Sequence, residues 1–161
     1  MRKLFVVLLV LASVLASAQA KPGDAPSKQL MAANLAAWST GGPEAAAPFY
    51  DKSPENVYFD IAPVQYKGWS EYQAGVKEVL AGFETFKLTL RADDEPRIHT
   101  AGNWAWGTAT FTADGKLKNG NAVNLTGRWT VIWQKKAGKW LIVHEHVSAP
   151  WGGPEPEKRE K

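Results

Sequence analysis

The sequence contains no cysteine. Disulfides are excluded, although small exported domains often depend on them, so the fold must be held by its core. There is no glycine-rich phosphate loop, no dinucleotide fingerprint and no nucleophile elbow. These absences argue against nucleotide-binding and serine-hydrolase chemistry. No basic stripe interleaves with aromatic residues, so nucleic acid is not an expected partner. No internal repeat occurs. The one long apolar run, Leu4 to Leu15, is shorter than the roughly 20 residues a membrane span requires.

That run follows the basic start Met1-Arg2-Lys3 and precedes the small-x-small sequence Ala18-Gln19-Ala20. The order predicts a secretory signal peptide over 1–20, cleaved before Lys21. No cysteine follows it, which excludes a lipoprotein anchor. The expectation is an exported chain, periplasmic or extracellular, with no membrane anchor after processing. Cleavage removes Arg2 and Lys3 and no acid, so 19 basic residues fall to 17 against 16 acidic ones, a net charge of +1. The basic character belongs largely to the precursor.

What is abundant is tryptophan, with eight residues. Large aromatics supply burial energy and also line apolar pockets. The remainder has the size of one domain: a polar leader over 21–26, a folded domain over 27–150, and a disordered tail over 151–161 rich in Pro, Gly and charge.

Leu30, Met31, Asn34, Leu35 and Trp38 recur at helical spacing, and all but Asn34 are apolar. Ser27 is a plausible N-cap. Gly41-Gly42-Pro43 ends this helix, and a short second segment is expected over 44–50. Val57–Ile61 reads as a strand. A helix after Gly68 places Tyr72, Val76, Val79, Leu80 and Phe83 on one face, with Gly82 near its end.

From Thr85 the period becomes two. Strands are expected from Thr85 past Leu90, at Asn103–Thr112, Val123–Lys136 and Lys139–Ser148, with a short extended piece at Arg97–Thr100. Asp114-Gly115, Asn119-Gly120 and Ala137-Gly138 are turn signals. Helices segregated from a four-strand meander give an α+β domain with helices over one face of a curved sheet.

The closing hairpin, Gly127-Arg128-Trp129 through Gly138-Lys139-Trp140 to His144-Glu145-His146-Val147-Ser148, resembles that of the SnoaL-like, ketosteroid-isomerase-like branch of the nuclear transport factor 2-like superfamily. It is also similar to the end of the calcium/calmodulin-dependent kinase association domain. Phe59-Asp60 followed by Tyr66-x-Gly68 resembles the family's strand-to-helix passage. The resemblance spans roughly Leu30 to Pro150. It implies a cystatin-like cone, a curved antiparallel sheet wrapped over N-terminal helices with a central pocket. Members include isomerases, cyclases, dehydratases and non-catalytic oligomerisation modules, so fold alone does not choose the function.

By the same resemblance, Asp60 matches the general base of ketosteroid isomerase, and desolvation beside Phe59 and Ile61 would raise its pKa. The isomerase's oxyanion-hole positions fall near Leu35 and Thr130, which cannot serve, and this argues against steroid isomerisation. His144 and His146 project to one side of a strand, about 7 Å apart. Paired imidazoles relay protons or bind metals, but only Asp60 or His99 offers a third ligand. No metal and no cofactor is expected. The ordinary alternatives are that Asp60 caps locally and that the histidines hydrogen-bond in a sheet face.

A regular two-residue turn puts Arg128, Thr130, Val143, Glu145 and Val147 on one face and Trp129, Val131, Trp133, Ile142, His144 and His146 on the other. A one-residue bulge changes which residues face each other. An Arg128–Glu145 pair is the ordinary explanation for both charges. Tyr66, Trp69, Trp104 and Trp106 are candidate pocket aromatics. The expected partners are a small, largely apolar ligand and a second copy of the chain. Catalysis would fall to Asp60 with His144 or His146, with Tyr66, Trp69, Trp104 and Arg128 binding the ligand. The alternative is a non-catalytic oligomerisation or protein-interaction module.

Overall fold

Helix α1 (Lys28–Ala46) starts at Ser27, whose Oγ accepts a hydrogen bond from the Leu30 N–H at 3.3 Å. A computed structural model describes residues 25–150. The expected signal peptide, most of the leader and the tail lie outside the described residues. Met31, Asn34, Leu35 and Trp38 form the buried stripe of α1. The helix breaks at Gly42, where φ is 59° and ψ −148°. Only glycine adopts that geometry readily, and Pro43 then restarts the helix without needing a donor. The expected stop at Gly42 and the helical segment restarted by Pro43 are therefore both present, joined across the kink within α1, and a single 3₁₀ turn, Ala47–Phe49, follows.

Strand β1 (Val57–Phe59) and the short β2 (Tyr66–Lys67) precede helix α2 (Gly68–Ala81). Then come β3 (Phe83–Leu90), β4 (Arg97–Ala101), β5 (Trp104–Leu117), β6 (Ala122–Lys136) and β7 (Lys139–Ser148). They form one seven-stranded sheet in the order β2-β1-β7-β6-β5-β3, with β4 also on β5. All pairings are antiparallel except β1 with β7.

The meander is longer than the sequence pattern suggests. The short extended piece is a full strand, β4, paired with Trp104–Thr108 of β5. Strand β5 also runs past the expected Asp114-Gly115 turn. There Asn124 Nδ2 donates to Asp114 Oδ1 across the pair at 2.5 Å. A Cβ at Gly115 would lie 2.6 Å from the Thr85 carbonyl oxygen, so this glycine permits close approach of β3 rather than a turn. One edge of β5 thus meets β4 at its start and β3 at its end, and the sheet curves over the helices.

The inner face is built from Ala105, Ala109, Phe111 and Ala113 of β5, Trp129, Val131 and Trp133 of β6, and Ile142 of β7. The helices cover it with Met31, Leu35, Trp38, Trp69 and Tyr72. All four tyrosines of the chain are buried. Tyr58 stacks on Tyr72 with ring centroids 4.8 Å apart, and Tyr50 lies 4.6 Å from Trp69. Such aromatic packing takes the place of disulfides in holding the fold.

The β6–β7 hairpin decides what the inner face presents. Ala137 (φ 47°) and Gly138 (φ 77°) make the expected two-residue turn. Beyond it Trp133 pairs with Ile142 but Ile132 pairs with His144, so Val143 is bulged out. The extra residue inverts the alternation of the rest of β7. Glu145 and Val147 come to the inner side opposite Val131 and Trp129, and His144 and His146 go outward.

Candidate functional site

A cavity of about 300 Å³ lies between the helices and the inner face of the sheet. Leu35 and Trp38 of α1, Val76 and Leu80 of α2, Phe86 and Leu88 of β3, and Phe111 and Leu125 of the sheet make its walls apolar. Its polar residues are few: Asn34, Asp60, Tyr72, Trp129 and Glu145.

Glu145 is 2% exposed. Its position follows from the Val143 bulge and from the chain after α1, which the Asp51 N–H ties to the Ile142 carbonyl at 2.9 Å. That tie brings the Tyr50 hydroxyl to 3.0 Å from both carboxyl oxygens. The Tyr72 hydroxyl donates to Oε1 at 2.5 Å and the Trp129 indole N–H to Oε2 at 2.9 Å. Trp38 Nε1 in turn donates to the Tyr50 hydroxyl at 2.9 Å. Burial pushes the Glu145 pKa up to about 7. The donors from Tyr72, Trp129 and Tyr50 restrain that rise, and the charge of Asp60 adds to it. Burial and the Glu145 charge hold the Tyr50 and Tyr72 hydroxyls well above the usual tyrosine range, so both remain donors.

Asp60 follows β1, half-buried at the edge of the cavity. Burial raises its pKa, and a bond from the Ile61 N–H at 2.7 Å opposes the rise. It also lines a shallow surface groove with Phe59, Val64 and His146. Asn34 completes the polar set. Its amide stands close enough to Tyr50 to oppose part of the rise that burial and Glu145 impose on that hydroxyl's pKa, yet neither Oδ1 nor Nδ2 has a partner in hydrogen-bonding geometry. An unpaired buried polar group costs about 1–3 kcal/mol.

A curved sheet over helices, with a mostly apolar cavity carrying a few polar groups, is the arrangement implied by the closing hairpin. The SnoaL-like domain model matches residues 28–152. The chain belongs to the SnoaL-like domain family. No functionally curated protein matches it. Among solved structures, a nuclear transport factor 2-like superfamily protein from Salmonella enterica is 25% identical, with 80% of this chain and 94% of that one covered and a TM-score of 0.66. A protein from Xanthomonas campestris described as a candidate calcium/calmodulin-dependent protein kinase II association domain is 24% identical (81% and 92% covered, TM-score 0.63). A candidate scytalone dehydratase from Novosphingobium aromaticivorans is 12% identical (81% and 90% covered, TM-score 0.64).

Of the catalytic and ligand-binding candidates named from the sequence, this SnoaL-like domain puts Asp60 alone in the cavity wall. Tyr66 and Trp69 are buried behind it. The Tyr66 ring packs 5.1 Å from Tyr72, and Trp69 Nε1 donates to Gln73 at 3.0 Å. Trp104 and Trp106 lie on the outer sheet face, 47% and 46% exposed, and His99 stacks on Trp106. Arg128 is on that face too, paired in register with Ser148. It therefore does not meet Glu145, which points inward.

His144 and His146 come together with Phe59 on the outer side, with ring centroids 5.2 and 5.7 Å from it. His144 Nδ1 lies 2.7 Å from the Val57 carbonyl oxygen. Among the described residues no three His, Asp or Glu side chains gather as a metal site. The residues that sequence reasoning missed are Glu145 and Asn34. The signal for Asn34 was present, because it is the one polar residue in the apolar stripe of α1.

Proposed function

We propose that this is an exported domain that binds a small, largely apolar molecule in its cavity and moves a proton on it. The reading is carried by one observation: two carboxyl groups with raised pKa values, Asp60 and Glu145, stand in the wall of an otherwise apolar cavity. Concave apolar sites with few polar groups are the usual ligand sites. Paired acids with perturbed pKa values suit general acid–base work.

Asp60, at the cavity edge and without a cationic partner, is the proton acceptor. Glu145, protonated about half the time near neutrality at a pKa of about 7, is the proton store. Tyr50, Tyr72 and Trp129 fix its orientation. Isomerisation, cyclisation and dehydration all need this pair of roles, and the likeness to a candidate scytalone dehydratase supports the same class. His144 and His146 serve the outer face in this reading. His146 touches the chemistry only through the groove it shares with Asp60.

The test is hydrogen exchange into a panel of apolar ketones incubated with the purified protein in D2O. The unaltered protein is expected to label carbons next to the carbonyl, and Asp60→Asn to abolish labelling while keeping the fold. Equal labelling by the variant would remove Asp60 from the mechanism.

A homodimer through the outer sheet face accompanies this reading, because half-exposed Trp104 and Trp106 side by side in water are an aggregation liability. The same observation favours a second reading, a purely oligomeric module, which the likeness to a kinase association domain also supports. A protein that assembles but neither binds nor exchanges would decide for it.

A further inference from the structure

Asn34 is 2% exposed and lines the cavity, with its Oδ1 and Nδ2 both buried and both without a hydrogen-bond partner. A side-chain amide presents an acceptor and a donor side by side in one plane. Among the described residues the charged groups in the cavity wall are Asp60 and Glu145, both acids, and no basic side chain joins them. A carboxylate or phosphate head would enter against like charge with no counter-ion. An ammonium head would leave the Asn34 N–H donors unpaired. An uncharged head with adjacent acceptor and donor satisfies both atoms, and the aromatic and aliphatic walls receive the rest.

We propose that the ligand of this cavity is an uncharged, largely apolar molecule ending in a carboxamide or lactam, whose C=O and N–H pair with Nδ2 and Oδ1 of Asn34. This deepens the binding reading given above and rests on it. Two parallel bonds at one end fix the ligand's orientation, which a hydrophobic wall alone does not. Asn34 lies beside the Tyr50 hydroxyl, so the ligand's polar end is held near the Glu145 network.

The experiment is calorimetric titration of the full chain with a matched set sharing one apolar body: naphthalene, 2-acetylnaphthalene, 2-naphthamide and 2-naphthoate. The amide is expected to bind about tenfold tighter than naphthalene, as two net hydrogen bonds allow. The ketone, an acceptor only, should fall between them, and the carboxylate should be weakest. Asn34→Leu should keep naphthalene binding and erase the preference for the amide. If that variant does not fold, the ranking in the unaltered protein decides. An amide that binds no better than naphthalene, or a preference that survives in Asn34→Leu, would overturn the proposal alone. Binding of none of the four would overturn the binding reading and this proposal with it.

Discussion

The Tyr72 hydroxyl donates to Glu145 Oε1 at 2.5 Å, joining helix α2 to strand β7 inside the cavity wall. This bond is the strongest restraint on the raised Glu145 pKa. Removing it should act on both stability and titration. Tyr72→Phe is expected to cost about 1.5–3 kcal/mol, the range for a bond to a charged acceptor. It should also move the Glu145 pKa above about 7. Urea unfolding at two pH values measures both effects. A loss of stability that is the same at pH 5 and pH 8 would deny the link to Glu145.

Glu145 gives stability a definite pH dependence. Its folded pKa rises from an ordinary 4.5 to about 7, so between those values the native state holds a proton that the unfolded chain has released. Stability from this group is therefore present in full below about pH 4.5, falls as pH rises through about 7, and is lost above it. The change amounts to about 3 kcal/mol. The difference in unfolding free energy between the unaltered protein and Glu145→Gln should carry this slope. A difference independent of pH would contradict it.

The outer face should be sensitive to charge. Trp106 is half-exposed and stacks with His99 at 5.2 Å. A dimer built on this face should dissociate in Trp106→Glu while the cavity and its pH behaviour persist, as sedimentation velocity would report. An unaltered protein that is monomeric at high concentration would refute the dimer.

Much of the architecture was legible in the sequence because local signals agreed with tertiary ones. Ser27 caps α1, Gly82 caps α2, and β7 spans Lys139–Ser148 as its alternation predicts. Other parts depended on distant contacts. Asp114-Gly115 reads as a turn, but it sits in mid-strand because β3 approaches too closely for a side chain at Gly115. Likewise the inner and outer faces of β7 depend on one bulged residue, Val143. Alternation fixes a strand's period but not its phase beyond a bulge. For that reason Glu145 reads as a surface charge beside Arg128, although it is the most enclosed acid of the site. The family resemblance pointed to Asp60, which lies in the cavity wall, whereas Asn34 stood out in the sequence only as the odd polar residue in an apolar stripe, with nothing local to show that the stripe faces a cavity.

The central claim is that the cavity receives a small apolar molecule. Its most direct test is fluorescence titration with the uncharged probe N-phenyl-1-naphthylamine, against the unaltered protein and against Ala113→Phe, which fills the cavity from β5. The expected result is saturable binding of one probe per chain that Ala113→Phe removes without unfolding the domain. No binding, or equal binding by the folded variant, would contradict the claim.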